Sequence, residues 1–279
     1  MKTPEQLKGT IRNIAKTKNL RSQEVLQMFL FERILDRLAS SDYRNNFILK
    51  GGLLISSLIG IAGRTTMDMD ATVRGINMNE DEITRVICEI LAVSVDDGIT
   101  FTYKRIEPIR EDDEYNNFRV YIDAEYGKIK NPMKIDITTG DEITPDAIQY
   151  GYPLLLEKGT IPVMAYTLET ILAEKYETII RRNIGTTRAR DFYDLYTLYH
   201  MRKEQIDLPT LKLAVEHTAR KRNSLQLMNE WEEIITDIRN DDTLRILWTN
   251  YITENTYASD LSFDDVVGAV EEIGNLINS

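Results

Sequence analysis

The stretch of residues 50–70 constrains this chain most, because it joins a glycine pair to two closely spaced carboxylates. Gly51 and Gly52 precede an apolar run typical of a buried helix. A glycine turn at the start of a helix presents backbone N–H groups and the positive end of the helix dipole, and both attract phosphate. Asp68 and Asp70 share one face of a predicted strand, and paired carboxylates suit a divalent metal. The stretch therefore predicts chemistry on a nucleoside triphosphate.

The strand predicted over residues 65–74 alternates between polar and apolar side chains. This alternation predicts that three apolar side chains face the core, namely Met67, Met69 and Ala71. A strand predicted over residues 133–138 buries Ile135 and Ile137 and turns Asp136 to the opposite face. If the two strands are neighbours, Asp136 adds a third carboxylate. The alternative is ordinary solvent-facing carboxylates on a sheet edge, since an Asp-x-Asp pattern or a glycine pair often arises by chance.

The first part of the chain mixes helices and strands. The spacing of apolar residues predicts helices over residues 4–18, 22–39, 53–61 and 79–92, with Ser22 as the N-cap of the second. Alternation predicts strands over residues 99–106, 118–126 and 133–138, and hence a small mixed or antiparallel sheet. We expect residues 107–117 to form a loop without structure of its own. Prolines in residues 140–165 favour a connection with one or two short strands.

From residue 166 onward the pattern is helical. Helix-start signals include Thr167, Asp207, Ser224 and Ser262, and the predicted helices lie near residues 168–182, 190–202, 208 onward, 225–239, 243–253 and 263–277. Lys175 lies on the first of these helices, while Asp191 and Asp194 share a face of the second. Salt bridges between two amphipathic helices are the alternative to a chemical role for these residues. The fold class is therefore α+β, with a sheet domain at residues 1–165 and an all-helical domain at residues 166–279.

Composition is that of an ordinary globular protein. The chain has 279 residues, of which 42% are hydrophobic and 28% are charged. Its one cysteine, Cys88, excludes a disulfide within the chain and a cysteine-rich zinc site. We see no signal sequence and no apolar run of membrane-spanning length, so we expect a cytoplasmic protein without a membrane partner.

The net charge of −11 is distributed unevenly. Residues 229–279 contain 12 acidic and 2 basic residues and thus account for almost all of the surplus. Three basic clusters could contact a polyanion, although solvated helix faces are the simpler interpretation of each. The clusters comprise Lys2, Lys8, Arg12, Lys16, Lys18 and Arg21, then Lys175, Arg181, Arg182, Arg188 and Arg190, and finally Arg220, Lys221 and Arg222.

A family resemblance emerges when the motif blocks are considered together. The blocks occupy residues 47–52, 64–70, 134–137, 173–175 and 190–195. In this order they resemble the AbiEii family of nucleotidyltransferase toxins, which belongs to bacterial abortive-infection, type IV toxin–antitoxin systems. The resemblance extends from about residue 30 to residue 198, and the remaining helices contribute little to it.

The resemblance implies a DNA-polymerase-β-like nucleotidyltransferase fold with a helical C-terminal domain that contributes to the active-site cleft. Gly51 and Gly52 would hold the triphosphate, and Lys50, Arg64 and Ser56 complete the expected nucleotide-binding set. Asp68, Asp70 and Asp136 would bind two Mg²⁺ ions, Lys175 would contact the nucleotide phosphates, and Asp191 would be the catalytic residue of the fourth motif. One departure concerns the position after the glycines, where relatives often carry a hydroxyl residue and this chain has Leu53 and Leu54.

The function implied is transfer of a nucleoside monophosphate from an NTP to an RNA acceptor, with the tRNA 3′ end as the best candidate. Growth arrest in phage defence would follow, opposed by a cognate antitoxin that acts without a stable complex, and we expect a monomer. Three alternatives remain: a nucleotidyltransferase that modifies a small molecule or a protein, a non-catalytic NTP-binding module, and a plain α+β structural protein. The missing hydroxyl after Gly52 favours the binding module.

Overall fold

The computed structural model describes residues 3–109 and 117–279. The chain divides into two compact units. The first comprises the residues up to Asp141 together with Ala147–Ala165, and the second comprises Glu142–Asp146 together with Tyr166–Ser279. None of the helices in the described part of the chain has the length and apolar character needed to cross a membrane.

The first unit is built on a mixed sheet, as the sequence predicts. Among the described residues the sheet has seven strands in the order β3-β4-β5-β2-β1-β7-β6, which is larger than the small sheet we expected. Strand β2 runs parallel to β5 and antiparallel to β1, while β1 runs parallel to β7; the other neighbours are antiparallel. The strands are β1 (Phe47–Lys50), β2 (Met69–Val73), β3 (Thr100–Ile109), β4 (Asn117–Tyr126), β5 (Ile129–Thr138), β6 (Ile148–Pro153) and β7 (Thr160–Ala165).

Helices accompany the sheet and make up the second unit. The first unit contains α1 (Pro4–Thr17), α2 (Ser22–Ala39), α3 (Gly51–Ile59) and α4 (Glu80–Ala92). The second contains α5 (Leu168–Arg182), α6 (Ala189–Arg202), α7 (Leu208–Lys221), α8 (Leu225–Asn229), α9 (Trp231–Asn240), α10 (Asp242–Glu254) and α11 (Phe263–Asn278). The predicted N-caps Thr167, Asp207 and Ser262 are confirmed, because each side chain accepts a hydrogen bond from the backbone N–H three residues on.

A buried ion pair fixes α2 to the segment that enters β3. The guanidinium of Arg37 donates to both carboxylate oxygens of Asp97, at 2.7 and 2.8 Å, and to the carbonyl oxygen of Ile99 at 2.8 Å. Both side chains are only 4% exposed. Because the two charges are paired through two hydrogen bonds, the burial of this ion pair is tolerated within an otherwise apolar core.

Strand β2 is shorter than its sequence suggests. It begins at Met69, so the alternation predicted over residues 65–74 does not extend back to Met67, which is 42% exposed rather than buried. Met69 and Ala71 do face the core. The preceding residues leave the strand because side chains bind their backbone: Gln27 donates to the carbonyl oxygen of Met67 at 3.2 Å.

The predicted loop at residues 107–117 is wrong at both ends. Strand β3 continues to Ile109 and β4 already begins at Asn117, with Glu107 opposite Arg119 in the ladder. Pairing with β4 outweighs the polar composition, and Pro108 is acceptable since β3 is an edge strand. Residues 110–116 lie outside the described residues.

Two predicted helices differ from the structure, one in its N-cap and one in its length. Arg21, not Ser22, is the N-cap of α2, and its backbone N–H donates to the Glu24 carboxylate at 2.9 Å. The predicted helix over residues 225–239 is instead divided into α8 and α9. Ser224 is the N-cap residue of α8, as predicted, but its side chain makes no capping bond because its hydroxyl donates to Glu177 at 2.8 Å.

A glycine turn connects β1 directly to α3. Gly51 has a φ of +63°, a conformation that side chains disfavour, and a Cβ there would overlap the Asp70 carboxylate. The N–H of Gly52 points toward the same carboxylate, with its nitrogen 3.4 Å from Asp70 Oδ2. The turn and Asp70 are therefore built against each other, and the register of β1 with β2, in which Lys50 faces Asp70, brings them together.

We expect Gly51→Ala to lower the free energy of unfolding by about 1–3 kcal/mol, because alanine at a positive φ is strained and its methyl group would displace Asp70. Urea unfolding measures the change. Gly268→Ala is the matched control: Gly268 lies within α11 with open space around it, so this variant should gain about 0.5–1 kcal/mol. Equal effects at the two positions would contradict the role of Gly51.

Candidate active site

Two carboxylates meet on neighbouring strands at the centre of the sheet. Asp70 on β2 and Asp136 on β5 are register partners, so their side chains emerge side by side on the same face. Asp68 lies just before β2. All three residues are partly exposed. The sequence predicted a third carboxylate beside Asp70 only if the two strands were neighbours. The structure meets this condition, because β2 pairs with β5.

Arg119 is the residue that sequence reasoning missed. It faces Asp136 across the β4–β5 ladder, and its Nε and Nη2 atoms donate to the two Asp136 oxygens at 2.7 Å each. The hydrogen bond to Asp136 raises the pKa of the Arg119 guanidinium, and the charge of Asp68 acts in the same direction. The alternation of β4 indicates the face of Arg119, but only the β4–β5 register identifies its partner.

Lys50 on β1 flanks Asp70 on the side away from Asp136. Its ammonium pairs with Asp141 at 2.6 Å, and Asp141 also accepts a hydrogen bond from the Thr138 hydroxyl at 2.9 Å. Burial raises the pKa of Asp70, the charges of Asp136 and Asp68 raise it further, and Lys50 lowers it without reversing the shift. The carboxylates therefore accumulate unfavourable negative charge that a cationic ligand would relieve.

The segment that carries Asp68 is tied to the glycine turn through Thr66. The Thr66 hydroxyl donates to the carbonyl oxygen of Asp68 at 3.2 Å, and the hydroxyl oxygen of Thr66 lies 2.8 Å from the position that a Cβ on Gly52 would take. Leu53 and Leu54, which replace the hydroxyl residue of relatives, are buried in the core. Thr66 consequently supplies a hydroxyl beside the glycines from a different part of the sequence.

Two residues of the expected nucleotide-binding set lie inside the protein. Ser56 has no exposed surface because α3 buries four consecutive residues, and Arg64 is 2% exposed. The Arg64 guanidinium donates to the carbonyl oxygen of Thr65, and it packs close to Gly52. The expectation of direct nucleotide contacts is therefore corrected for Ser56 and Arg64, and Arg64 supports the turn from within.

The chemistry of the carboxylates fits a divalent cation, since Mg²⁺ prefers carboxylate oxygens and retains several water ligands. Across residues 3–109 and 117–279, no three acidic, histidine or cysteine side chains are arranged as ligands of a single ion. Asp136 instead directs both oxygens to Arg119. Binding of a cation by Asp136 therefore requires this ion pair to loosen.

In the second unit, Lys175 of α5 pairs with two carboxylates of α6. Its ammonium lies 2.5 Å from Asp191 and 3.1 Å from Asp194, and both aspartates are buried. The salt bridge considered from the sequence therefore exists. This salt bridge holds the Lys175 ammonium, whose side chain is 20% exposed, in a defined position. A fixed ammonium group can stabilise the packing of the two helices or bind an anion.

We expect Asp70→Asn to increase stability at neutral pH by about 1 kcal/mol, because it removes a charge that burial and Asp136 disfavour. A carboxyl group whose pKa is raised in the folded state destabilises the fold above that pKa. The advantage of the variant should therefore shrink as the pH falls through the raised pKa towards the ordinary value. Urea unfolding over a pH series, without divalent cations, measures it.

Asp123→Asn is the control for this comparison, since Asp123 is a half-exposed aspartate that pairs with Lys104 on the same sheet. Exposed pairs of this kind contribute little, so its stability should stay within about 0.5 kcal/mol of the wild type. A variant at Asp70 that is less stable than the wild type at neutral pH would show that its charge is well compensated.

Comparison with known proteins shows a family match. Residues 33–269 match the family model described as nucleotidyl transferase AbiEii toxin, type IV TA system. No curated protein sequence is similar enough to count as a match.

Several solved structures are similar to this chain, one of them with a TM-score above 0.5. One is an H. pylori protein to which nucleotidyltransferase activity has been ascribed, with 16% identity, a TM-score of 0.52 and coverage of 92% of this chain and 96% of that one. JHP933 from Helicobacter pylori has 17% identity and a TM-score of 0.49, and the match covers 92% of this chain and 93% of that one. The antibiotic-resistance factor ANT(2'')-Ia has 18% identity and a TM-score of 0.38, and the match covers 74% of this chain and 98% of that one.

The family match includes the glycine turn, the three carboxylates and Arg119, as well as the Lys175 pair of the second unit. It spans far more than half of the chain. The chain therefore belongs to the AbiEii family of nucleotidyl transferase toxins of type IV toxin–antitoxin systems.

Proposed function

We propose that this nucleotidyltransferase toxin transfers a nucleoside monophosphate from an NTP to an RNA acceptor, the tRNA 3′ end being the best candidate, with Mg²⁺ as cofactor. The observation that carries the proposal is the contact between the glycine turn and Asp70, with Asp136 directly beside it. A phosphate-binding turn and carboxylates at contact distance suit a metal-bound triphosphate.

Asp68, Asp70 and Asp136 would hold two Mg²⁺ ions, which supply charge to stabilise the attacking oxygen and the leaving pyrophosphate. The backbone N–H groups of Gly51 and Gly52 would bind phosphate oxygens. In the reaction, the acceptor hydroxyl oxygen bonds to the α-phosphorus, the bond to pyrophosphate breaks, and the hydroxyl proton passes to a carboxylate, for which we assign Asp136.

Cations of the chain would bind the remaining phosphate charge. Lys50 lies beside Asp70, and Arg119 would exchange its bond to Asp136 for one to a phosphate. In the second unit, we assign to Lys175 a contact with the nucleotide phosphates and to Asp191 the positioning of its ammonium group. These assignments rest on the family and on the ion pairs described above.

The cellular role follows from the family. Modification of the tRNA 3′ end would stop translation and arrest growth, which suits phage defence. We further propose that the chain acts in the cytoplasm as a monomer, and that its cognate antitoxin acts without forming a stable complex with it.

Incubation with each α-labelled NTP, Mg²⁺ and total RNA tests the reaction. We expect label on RNA that RNase removes, and at least about a hundredfold less with Asp68→Ala/Asp70→Ala or with a chelator, since the loss of groups that only orient metal ligands already costs 10–100-fold. Asp81→Ala, an exposed aspartate of α4, is the control and should remain active.

Other outcomes identify the alternatives. Label that stays on protein after RNase treatment, or that appears on a small molecule, would replace RNA as the acceptor. Binding of NTP without any transfer would indicate a non-catalytic binding module. Equal labelling by the wild type and the double variant would remove the metal-site assignment.

We expect Arg119→Ala to weaken NTP binding in the presence of Mg²⁺ by about tenfold to a hundredfold, because a charged hydrogen bond contributes about 1.5–3 kcal/mol. Isothermal titration calorimetry measures the dissociation constant. Arg119→Lys keeps the charge without the planar fork and should recover part of the loss. Arg85→Ala is the matched control, because Arg85 is an exposed arginine of α4 that pairs with Glu82 and Glu89. If Arg119→Ala bound NTP as tightly as the wild type, the role of Arg119 would be restricted to positioning the Asp136 carboxylate.

A further inference from the structure

Helix α1 and the residues that follow it concentrate positive charge in a chain with a net charge of −11. Residues 3–21 contain one acidic residue, Glu5, and five basic ones, all exposed: Lys8, Arg12, Lys16, Lys18 and Arg21. Three of these, Lys8, Arg12 and Lys16, are spaced four residues apart and so lie on one helix face. The local charge is thus the opposite of that of the whole chain.

This face is available to a partner. Leu7, Ile11 and Ala15, on the neighbouring face of α1, anchor the helix in the core, each with 4% exposure or less. Within residues 3–109 and 117–279, no carboxylate pairs with Lys8, Arg12 or Lys16. The other basic clusters differ in this respect, since their residues include Arg220, which pairs with Glu216, and Arg222, which pairs with Glu174 and Glu177.

A cleft of about 160 Å³ adjoins the basic face. Lys8 and Arg12 contribute charged groups to its lining, and most of its exposed surface is apolar. Its other lining residues are Ile11 of α1, Ser22, Gln23 and Leu26 of α2, and Ile129 of β5. Proteins hold single-stranded nucleic acid by cationic groups that follow the backbone and by side chains, usually aromatic, on which bases stack. In this cleft aliphatic side chains and the Arg12 guanidinium would take the place of the aromatic rings.

The wall of this cleft is connected to the Asp68 segment by a chain of hydrogen bonds. Gln23 donates to Asn131 at 2.5 Å, Asn131 donates to Gln27 at 2.6 Å, and Gln27 donates to the carbonyl oxygen of Met67 at 3.2 Å. Met67 is exposed and immediately precedes Asp68. The cleft and the carboxylate segment are therefore joined by hydrogen bonds within the first unit. Lys8 and Arg12 of the basic face line the same cleft.

We propose that the face of Lys8, Arg12 and Lys16, together with the adjoining cleft, docks a single-stranded segment of the RNA acceptor. Its phosphates would lie on the three cations, and an unstacked base would enter the cleft. The proposal rests on the RNA acceptor of the proposed function. The surface goes beyond the family match, which begins at residue 33, after α1.

The geometry favours RNA over a membrane surface. Successive cations are separated by about 6 Å along the helix axis, a separation that allows each to meet a different phosphate of an extended strand. A helix that lies on a membrane must insert a broad apolar face, and three of the apolar residues of α1, Leu7, Ile11 and Ala15, are already buried in the core. The cleft also gives an unpaired base a place that a duplex could not use.

Fluorescence anisotropy with a labelled single-stranded RNA and the full chain tests this surface over a range of salt concentrations. The variant is Lys8→Gln/Arg12→Gln/Lys16→Gln, in which glutamine preserves helix propensity. We expect RNA affinity to fall at least about tenfold, and the slope of log affinity against log salt to decrease by about 2, since three phosphate contacts to a single strand are lost.

The control of equal charge is Arg85→Gln/Lys104→Gln/Lys158→Gln, which removes three positive charges from exposed positions elsewhere in the first unit. This control variant should have the same RNA affinity as the wild type and the same dependence of that affinity on salt concentration. A second variant, Leu26→Glu, places a negative charge at the cleft without changing α1, and it should also weaken RNA binding. Thermal melting verifies that each variant is folded.

Equal RNA binding by the wild type and the α1 variant would overturn the proposal and leave the proposed function intact. Wild-type protein that transfers nucleotides but binds no RNA would instead show that the acceptor is wrong. Binding to anionic phospholipid vesicles that depends on the three cations, with RNA binding unaffected, would assign the face to a membrane and also overturn the proposal.

Discussion

The contact between Gly51 and the carboxylate of Asp70 is the constraint on which the site depends. A side chain at residue 51 would occupy the space of that carboxylate, and the positive φ of Gly51 is needed to turn from β1 directly into α3. Because β1 and β2 are paired in register, this turn fixes the first N–H groups of the helix beside Asp70. The phosphate-binding and carboxylate parts of the site are consequently a single structural feature rather than two neighbouring ones.

Charge compensation is the second organising principle. Three carboxylates on one part of a sheet repel one another, and burial makes this repulsion stronger. Arg119 and Lys50 offset it, the first by binding both oxygens of Asp136 and the second by its position opposite Asp70. A metal-bound polyphosphate brings cations for the carboxylates and anions for the basic residues. Binding of such a ligand would therefore exchange the ion pair of Arg119 for new pairs and relieve the repulsion among the carboxylates.

The sequence alone predicted the elements better than their contacts. Alternation placed Asp136 opposite Ile135 and Ile137, because the period of two holds throughout a strand in a half-buried sheet. The same rule failed at Met67, where side chains from elsewhere bind the backbone and end the strand. Arg119 and Thr66 were missed for a related reason. Arg119 reaches the site through the register of β4 with β5, and Thr66 reaches it through the packing of a loop against the glycine turn. The hydrophobic pattern of a sequence predicts neither register nor loop packing. Ser56 was misassigned because α3 is buried on more than one face.

Net charge was the least informative property of this chain. Its acidic surplus lies almost wholly in residues 229–279, whereas residues 3–21 are strongly basic. Salt limits the influence of an exposed charge to about 8 Å at physiological ionic strength, so a binding partner responds to local groups rather than to the sum. An ion-paired arginine such as Arg222 offers such a partner little, whereas lysines on an exposed helix face offer their full charge. The capacity of an acidic protein to bind a polyanion thus depends on which of its cations the fold has left without a carboxylate.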